Sequence, residues 1–142
     1  DRRFCWDVHN IRLRDRECML AVHCHSRYAF VLWDVSPFQW GDITGLFREG
    51  LVDSLHGAGF APEAVDRYLQ KAGDIDLTCT HGRREVAFLN RAWEDVLALD
   101  LCLDTERQAQ PLLDRAVNTC SSRCAGFEGL GTGLERISAS LL

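Results

Sequence analysis

The sequence predicts an α+β domain with an antiparallel sheet of about four strands and three to four helices packed on one face of the sheet. Two apolar runs, at residues 18–24 and 28–33, are separated by three polar residues, which is typical of a tight hairpin between buried strands. After residue 42 the apolar spacing becomes helical. Alternation of apolar and polar residues favours a sheet that is covered on one side.

The first predicted strand, at residues 4–13, alternates loosely. Trp6 and Val8 fall on one parity and Ile11 falls on the other, so we expect a β-bulge near His9 and Asn10. The two apolar runs supply the second and third strands. Residues 76–80 are apolar and β-branched, and they predict a short fourth strand.

Helices are predicted where apolar residues recur every three or four positions. The expected starts are residue 42, Pro62 and Arg83 or Arg84. The last helix starts either at a capping box at Thr105 or later, at Gln110 ahead of Pro111. The third helix, to about residue 101, is the longest. Its apolar stripe is expected to face the sheet with the Asn90 amide among its members, which are Val86, Leu89, Trp93, Val96 and Leu97.

The length of 142 residues is that of one domain. We assign residues 1–119 to it and treat the Gly- and Ser-rich residues 120–142 as a partly ordered tail, with a short helix near its end.

Charge is unevenly distributed along the chain, whose net charge is −5. Residues 1–27 hold six arginines and four acidic residues, whereas the remainder holds ten basic and seventeen acidic residues. A duplex-DNA-binding domain usually carries a strongly basic face. The small basic surplus therefore argues against nucleic acid, although it is compatible with a local anion site.

Seven cysteines, an odd number without a preceding secretory segment, favour reduced thiols and a cytoplasmic protein. His9, Cys18, His23, Cys24 and His25 lie close in sequence, but no CxxC pair supports a zinc site. We therefore predict no metal and no cofactor. No apolar run approaches the roughly 18 residues of a membrane span, so no membrane association is expected.

One polar patch is a candidate ligand site. Arg27 lies in the predicted hairpin turn, and Thr80 and Arg83 lie where the longest helix begins. Backbone amides at a helix start attract anions, and arginine adds a bidentate donor. The predicted ligand-binding residues are Arg16, Arg27, Thr80, Arg83 and Asn90. The alternative interpretation is that Arg27 and Arg83 pair with acidic neighbours.

Several segments together resemble a bacterial family of small uncharacterised proteins, a domain of unknown function, over about residues 6–100. The resemblance implies a single α+β domain and supplies no activity. Asp7, His9 and Arg84 depart from the residues expected in the family, namely His, Asn and Ser. The matching residues are Trp6, Arg16-x-Cys18, Ser26-Arg27-Tyr28-x-Phe30, Thr78-x-Thr80-x-x-Arg83 and Asn90.

Three functions are compatible with the sequence. The first is a non-enzymatic module that binds an anionic small ligand or a protein partner through the arginine patch. The second is an enzyme, such as a phosphoester hydrolase or nuclease-like protein, with His9 or His81 as general base. The third is a structural or interaction protein without a site, for which an exposed apolar patch at Val35, Phe38 and Trp40, or a homodimer, would be evidence.

Overall fold

The computed structural model describes residues 1–78, 83–120, 122–123, 127 and 129–141, with the backbone alone at 83–85 and 122–123. Short 3-10 segments at Arg2–Phe4 and Asp100–Cys102 accompany the main elements. The strands are β1 (Trp6–Leu13), β2 (Arg16–His23), β3 (Ala29–Leu32), β4 (Ser122–Arg123) and β5 (Leu130–Gly131). The helices are α1 (Pro37–Trp40), α2 (Ile43–Gly57), α3 (Pro62–Ala72), α4 (Arg83–Ala98), α5 (Pro111–Asn118) and α6 (Gly133–Ser140).

The main sheet is an antiparallel meander in the order β1-β2-β3. Arg14 and Asp15 form the turn between β1 and β2, and both have positive φ, at 48° and 64°. Two successive residues with positive φ give the mirror-image turn whose twist matches that of a hairpin. The central strand β2 is thereby fixed in register with β1, from Trp6 opposite His23 to Leu13 opposite Arg16.

The predicted bulge in β1 is wrong, because β1 and β2 pair residue for residue along the whole strand. The change of parity has another cause. Trp6 and Val8 pack against the core on one face of the sheet, whereas Ile11 and Leu13 belong to the core on the other face. The face of β1 that helices cover changes along the strand, and the backbone stays regular.

Helices cover both faces of the sheet, which confirms the α+β class and corrects the prediction of a single covered face. On one face, α4 and α5 contribute Val96 and Leu113 to a core around Leu20. On the other face, α2 contributes Leu51 and Leu55. A strand that is buried on both faces is apolar without alternation, and residues 18–23 of β2 are all buried. The continuous run at 18–24 was therefore the signal for two covered faces.

The described part of the predicted fourth strand, residues 76–78, has no regular structure, and residues 79–80 lie outside the described residues. The main sheet therefore has three strands among the described residues, and β4 and β5 form a separate two-stranded sheet. Near the C-terminus, α6 places Ile137 and the following Leu141 in the α2 side of the core.

The outer edge of β3 is closed by side chains of α5 rather than by a strand. The Asn118 amide accepts a hydrogen bond from the Ala29 N–H at 2.8 Å and donates one to the Ala29 carbonyl at 2.7 Å. Asp114 Oδ1 accepts from the Val31 N–H at 3.0 Å. These side chains take the place of a neighbouring strand's backbone, so the Ala29 N–H, the Ala29 carbonyl and the Val31 N–H all have partners inside the core.

In the structure, the apolar stripe predicted for α4 is turned partly away from the sheet. Val86, Trp93 and Leu97 are 40%, 36% and 53% exposed, and Asn90 is exposed as well. Ala92 and Val96, four residues apart, face the sheet instead. The row of α4 that contains Asn90 is therefore not the buried one, and the prediction that Asn90 is a buried amide was wrong.

Among the described residues, none of the helices combines the length and the apolarity that a membrane crossing requires.

Candidate functional site

Arg27 does reach the longest helix. It lies in the connection between β2 and β3, where it adopts a positive φ of 68°. Its guanidinium carbon lies over the ring of Phe88 in α4, 4.7 Å from the ring centroid. Phe88 is five residues beyond Arg83, or about 7.5 Å along the helix axis. The hairpin bend and α4 therefore meet, whereas Thr80 and the Arg83 side chain lie outside the described residues.

The structure does not bring Arg16 or Asn90 to Arg27. Arg16 opens β2 at the end of the strand opposite Arg27, and β2 is about 24 Å long. Its guanidinium is 3.7 Å from the Asp34 carboxylate, and both side chains are exposed. Asn90 is two residues beyond Phe88 in α4, so it lies about 200° around the helix from the Arg27 contact.

The space beside Arg27 is small. A cavity of about 20 Å³ is lined by Phe88, Arg91, Asp95 and neighbouring residues. Such a volume holds about one water molecule. Arg91 Nε also contacts Asp95 Oδ1 at 3.2 Å, so one positive charge beside the cavity is compensated. The cavity beside Arg27 is therefore too small to enclose a phosphate or a larger anion.

A much larger cleft lies along the first half of β1. Its volume is about 640 Å³, within the range of ligand-binding sites. We call it the β1 cleft. It is bounded by β1, α2, the end of α3 and the segment at residues 73–78, and its apolar lining includes Phe4, Trp6, Val8, Ile43, Phe47 and Leu69.

Hydrogen bonds hold the aromatic floor of the β1 cleft in place. The Trp6 indole N–H donates to the Tyr68 hydroxyl at 3.0 Å, and that hydroxyl donates to the Arg3 carbonyl at 2.6 Å. The rings of Trp6 and Phe47 lie edge to face with centroids 5.6 Å apart. Burial raises the pKa of Tyr68 to about 12, so its hydroxyl remains a neutral donor at physiological pH.

A buried histidine supports the same wall. His23 Nδ1 accepts from the Ser26 N–H at 3.2 Å and contacts Ser26 Oγ at 2.7 Å, which assigns the ring proton to Nε2. Nε2 then donates to the Arg3 carbonyl at 2.7 Å, the acceptor that Tyr68 also uses. Burial lowers the pKa of His23 to about 4, so the ring is neutral. His23 thus has a structural position behind the cleft.

Charged groups around the β1 cleft are mostly acidic. Asp1, Asp7, Asp74 and Asp76 line it, against a single arginine, Arg48. Asp7 is buried. The pKa of the neighbouring Cys24 thiol is raised mainly by burial of the thiol and further by the charge of Asp7. A cleft lined by one sign of charge concentrates the opposite sign. The β1 cleft therefore favours a neutral or cationic ligand.

The described residues contain no group of three or more His, Cys, Asp or Glu side chains that would hold a metal ion. The cysteines described in the structure, Cys5, Cys18, Cys24, Cys102 and Cys120, are free thiols. His9 lines the β1 cleft and its ring lies 6.4 Å from that of Trp93, while His81 lies outside the described residues.

Sequence reasoning missed the β1 cleft. Its floor joins Trp6 to Phe47 and Tyr68, which are more than 40 residues away along the chain, so no local spacing connects them. One signal was available, since Trp6 belongs to the pattern on which the family resemblance rests. The apolar patch considered for an interaction surface is also changed, because Val35 is buried and Phe38 is exposed.

Comparison with known protein families identifies a family for this chain. A family model described as a domain of unknown function, DUF6933, matches residues 1–126. The match includes every residue that lines the β1 cleft, and it confirms the resemblance to an uncharacterised family. No curated protein and no solved structure matches the chain.

Proposed function

The chain belongs to the DUF6933 family, whose function is unknown, and from that premise we propose that the protein is a non-enzymatic module that binds its ligand in the β1 cleft. The observation that carries the proposal is a cleft of about 640 Å³ with a fixed aromatic floor and a polar rim. A concave apolar site with a few polar groups is the usual form of a ligand pocket.

The aspartates that line the β1 cleft form an acidic rim, which determines the ligand charge that the cleft favours. Asp1 is paired with Arg3, so Asp7, Asp74 and Asp76 remain against Arg48. This balance favours a ligand with an apolar part and a neutral or cationic end, rather than the anionic ligand that the sequence suggested. Anion binding through Arg27, Thr80, Arg83 and Asn90, with Arg16 nearby, stays a prediction. It now depends on Thr80 and the Arg83 side chain, since Arg16 and Asn90 are placed elsewhere.

The enzymatic alternative would place His9 as general base in the β1 cleft, which it lines. A phosphoester carries negative charge, and its reaction is assisted by cationic groups around the phosphate. The aspartates of the rim oppose that charge. The geometry therefore favours binding, and phosphoester hydrolysis stays a prediction.

The test compares two alanines that each end a helix and are exposed. Ala72 at the end of α3 lines the cleft, whereas Ala98 at the end of α4 does not. The neutral apolar dye Nile red is expected to fluoresce with the unmodified protein. Ala72→Trp fills the cleft and should weaken dye binding about tenfold, a change of about 1.4 kcal/mol. Ala98→Trp should leave it unchanged, and equal effects of both substitutions would contradict the proposal.

A further inference from the structure

The outer edge of β1 carries backbone groups that point away from the sheet. In an antiparallel pair, hydrogen-bonded and non-hydrogen-bonded residue pairs alternate. Leu13 and Arg16 close a two-residue turn, and the Cys24 N–H donates to the Cys5 carbonyl at 2.9 Å, so the odd-numbered residues of β1 bond to β2. The N–H and carbonyl groups of Trp6, Val8, Asn10 and Arg12 therefore point outward.

These outward groups have no backbone partner within the part of the chain that the structure describes. Trp6 and Val8 both line the β1 cleft, whereas Asn10 and Arg12 do not. The first half of the open edge is thus enclosed by α2, α3 and residues 73–78, and the second half is outside the cleft. An open strand edge inside a ligand-sized cleft is a template for one further strand.

The two sides of this edge differ in chemistry. Side chains alternate between the faces of a strand, so Trp6 and Val8 lie on the side of Phe47 and Ile43. Asp7 and His9 lie on the opposite face, and the exposed Asp74 and Asp76 also line the cleft. An added strand would meet an apolar surface with one set of side chains and an acidic rim with the alternate set.

We propose that the ligand of the β1 cleft is an extended peptide with alternating apolar and basic side chains, which adds as a strand to the outer edge of β1. The lined part of the edge, from Trp6 to His9, accommodates about four residues at about 3.4 Å each. The backbone of Trp6 and Val8 supplies the hydrogen bonds, and the acidic rim selects the basic residues. This inference rests on the proposed function, because it requires that the cleft be a binding site.

The first test uses the four-residue peptide acetyl-Lys-Val-Lys-Val-amide with a fluorescent label, which matches the lined part of the edge, and follows its fluorescence anisotropy with the unmodified protein. Two further peptides carry N-methyl groups on all valines or on all lysines. Only one of the two sets of amides faces β1 in an added strand. One methylated peptide should lose binding by about tenfold or more, and the other should bind as the parent does. Loss with the valine set indicates an antiparallel strand, and loss with the lysine set a parallel one.

The second test changes the protein at two outward positions of the same strand. Proline lacks the N–H group, and an outward position of an edge strand tolerates it. Val8→Pro removes a donor inside the cleft and should weaken the Lys-Val peptide about tenfold. Asn10→Pro removes the equivalent donor outside the cleft and should leave affinity unchanged. A peptide with Glu in place of Lys should bind more weakly than the parent to the unmodified protein.

Each contrary outcome has a distinct meaning. Equal binding of both methylated peptides overturns strand addition, since side chains alone would then hold the peptide. Nile red binding that depends on Ala72, together with no binding of the Lys-Val peptide, overturns the inference and leaves the proposed function intact. If the unmodified protein binds neither Nile red nor the Lys-Val peptide, the proposed function itself is overturned.

Discussion

The two edges of the three-stranded sheet differ in the hydrogen-bond partners of their outward backbone groups. At the β3 edge, Asn118 and Asp114 of α5 hydrogen bond to the backbone of Ala29 and Val31. At the β1 edge, the outward backbone groups have no backbone partner among the described residues. A short helix can therefore finish a sheet with its amide and carboxyl side chains. Since the fold closes one edge in this way, the open edge inside a cleft is a candidate for function.

The largest expected effect comes from proline at the closed edge. Val31→Pro removes the N–H that donates to Asp114 and disturbs a fully buried strand, so we expect a loss of about 3 kcal/mol or more in unfolding free energy. Asn10→Pro, at an outward position of the open edge, should cost about 1 kcal/mol or less. Urea denaturation followed by circular dichroism measures both. Similar losses would show that the edges are equivalent.

Removal of one sealing amide should have the next largest effect. Asn118→Ala leaves the Ala29 N–H and carbonyl without their partner in a buried position. Each unsatisfied buried group costs about 1–3 kcal/mol, so a loss of about 2–6 kcal/mol is expected for the two groups. Asn90→Ala, on the exposed side of α4, is the matched control and should change stability by less than about 0.5 kcal/mol. Equal urea midpoints for both variants would contradict a sealing role.

A pH effect should follow from Asp114. Burial raises the pKa of its carboxyl to about 8, against the hydrogen bonds from Val31 and Ser54. Between the unfolded pKa of about 4 and the folded value, the folded state binds the extra proton, so stability falls as pH rises. Asp114→Asn keeps both neighbours bonded and does not ionise.

Relative to Asp114→Asn, the unmodified protein should lose about 3–4 kcal/mol of unfolding free energy between about pH 5 and pH 8. Urea titrations at each pH measure the difference, in which the contribution of His23 cancels because both proteins contain it. A difference that stays constant with pH would mean that the Asp114 carboxyl is ionised in the fold.

The smallest predicted effect concerns the cleft wall beside the open edge. Tyr68→Phe removes the hydroxyl that accepts from Trp6 and donates to the Arg3 carbonyl. His23 still donates to that carbonyl, so a loss of about 1 kcal/mol is expected. The wavelength of maximum fluorescence emission of Trp6 should also shift, although emission from the other three tryptophans makes the shift of the whole spectrum smaller. Differential scanning calorimetry with no change in melting temperature would show that this hydroxyl carries little of the wall's stability.

Local signals in the sequence predicted much of the fold. Pro62 and Pro111 begin α3 and α5, and Arg83 begins α4, because proline and helical spacing act within a few residues. The paired runs at 18–24 and 28–33 gave β2 and β3 for the same reason. The contact between Arg27 and α4 was expected too, although the structure shows Phe88 as its partner there.

What could not be predicted depends on contacts between distant segments. Whether Asn90 faces the sheet depends on how α4 packs. In the structure, the side of α4 that carries Ala92 and Val96 packs against the sheet. The β1 cleft exists because Trp6 meets Tyr68 across 62 positions of chain. The sealing of β3 by Asn118 crosses 89 positions. Periodicity carries no information on such pairings.

The closure of β3 by α5 has a consequence for synthesis on the ribosome. Ala29 leaves the exit tunnel long before Asn118, which is 89 positions later. At about 5–20 residues per second, the nascent hairpin waits for roughly 4–18 seconds before its last strand acquires its side-chain partners. During that interval the β3 edge is exposed to neighbouring nascent chains. Truncated chains that stop before α5 are therefore expected to associate with ribosome-bound chaperones or with one another, and extension through Asn118 should release them.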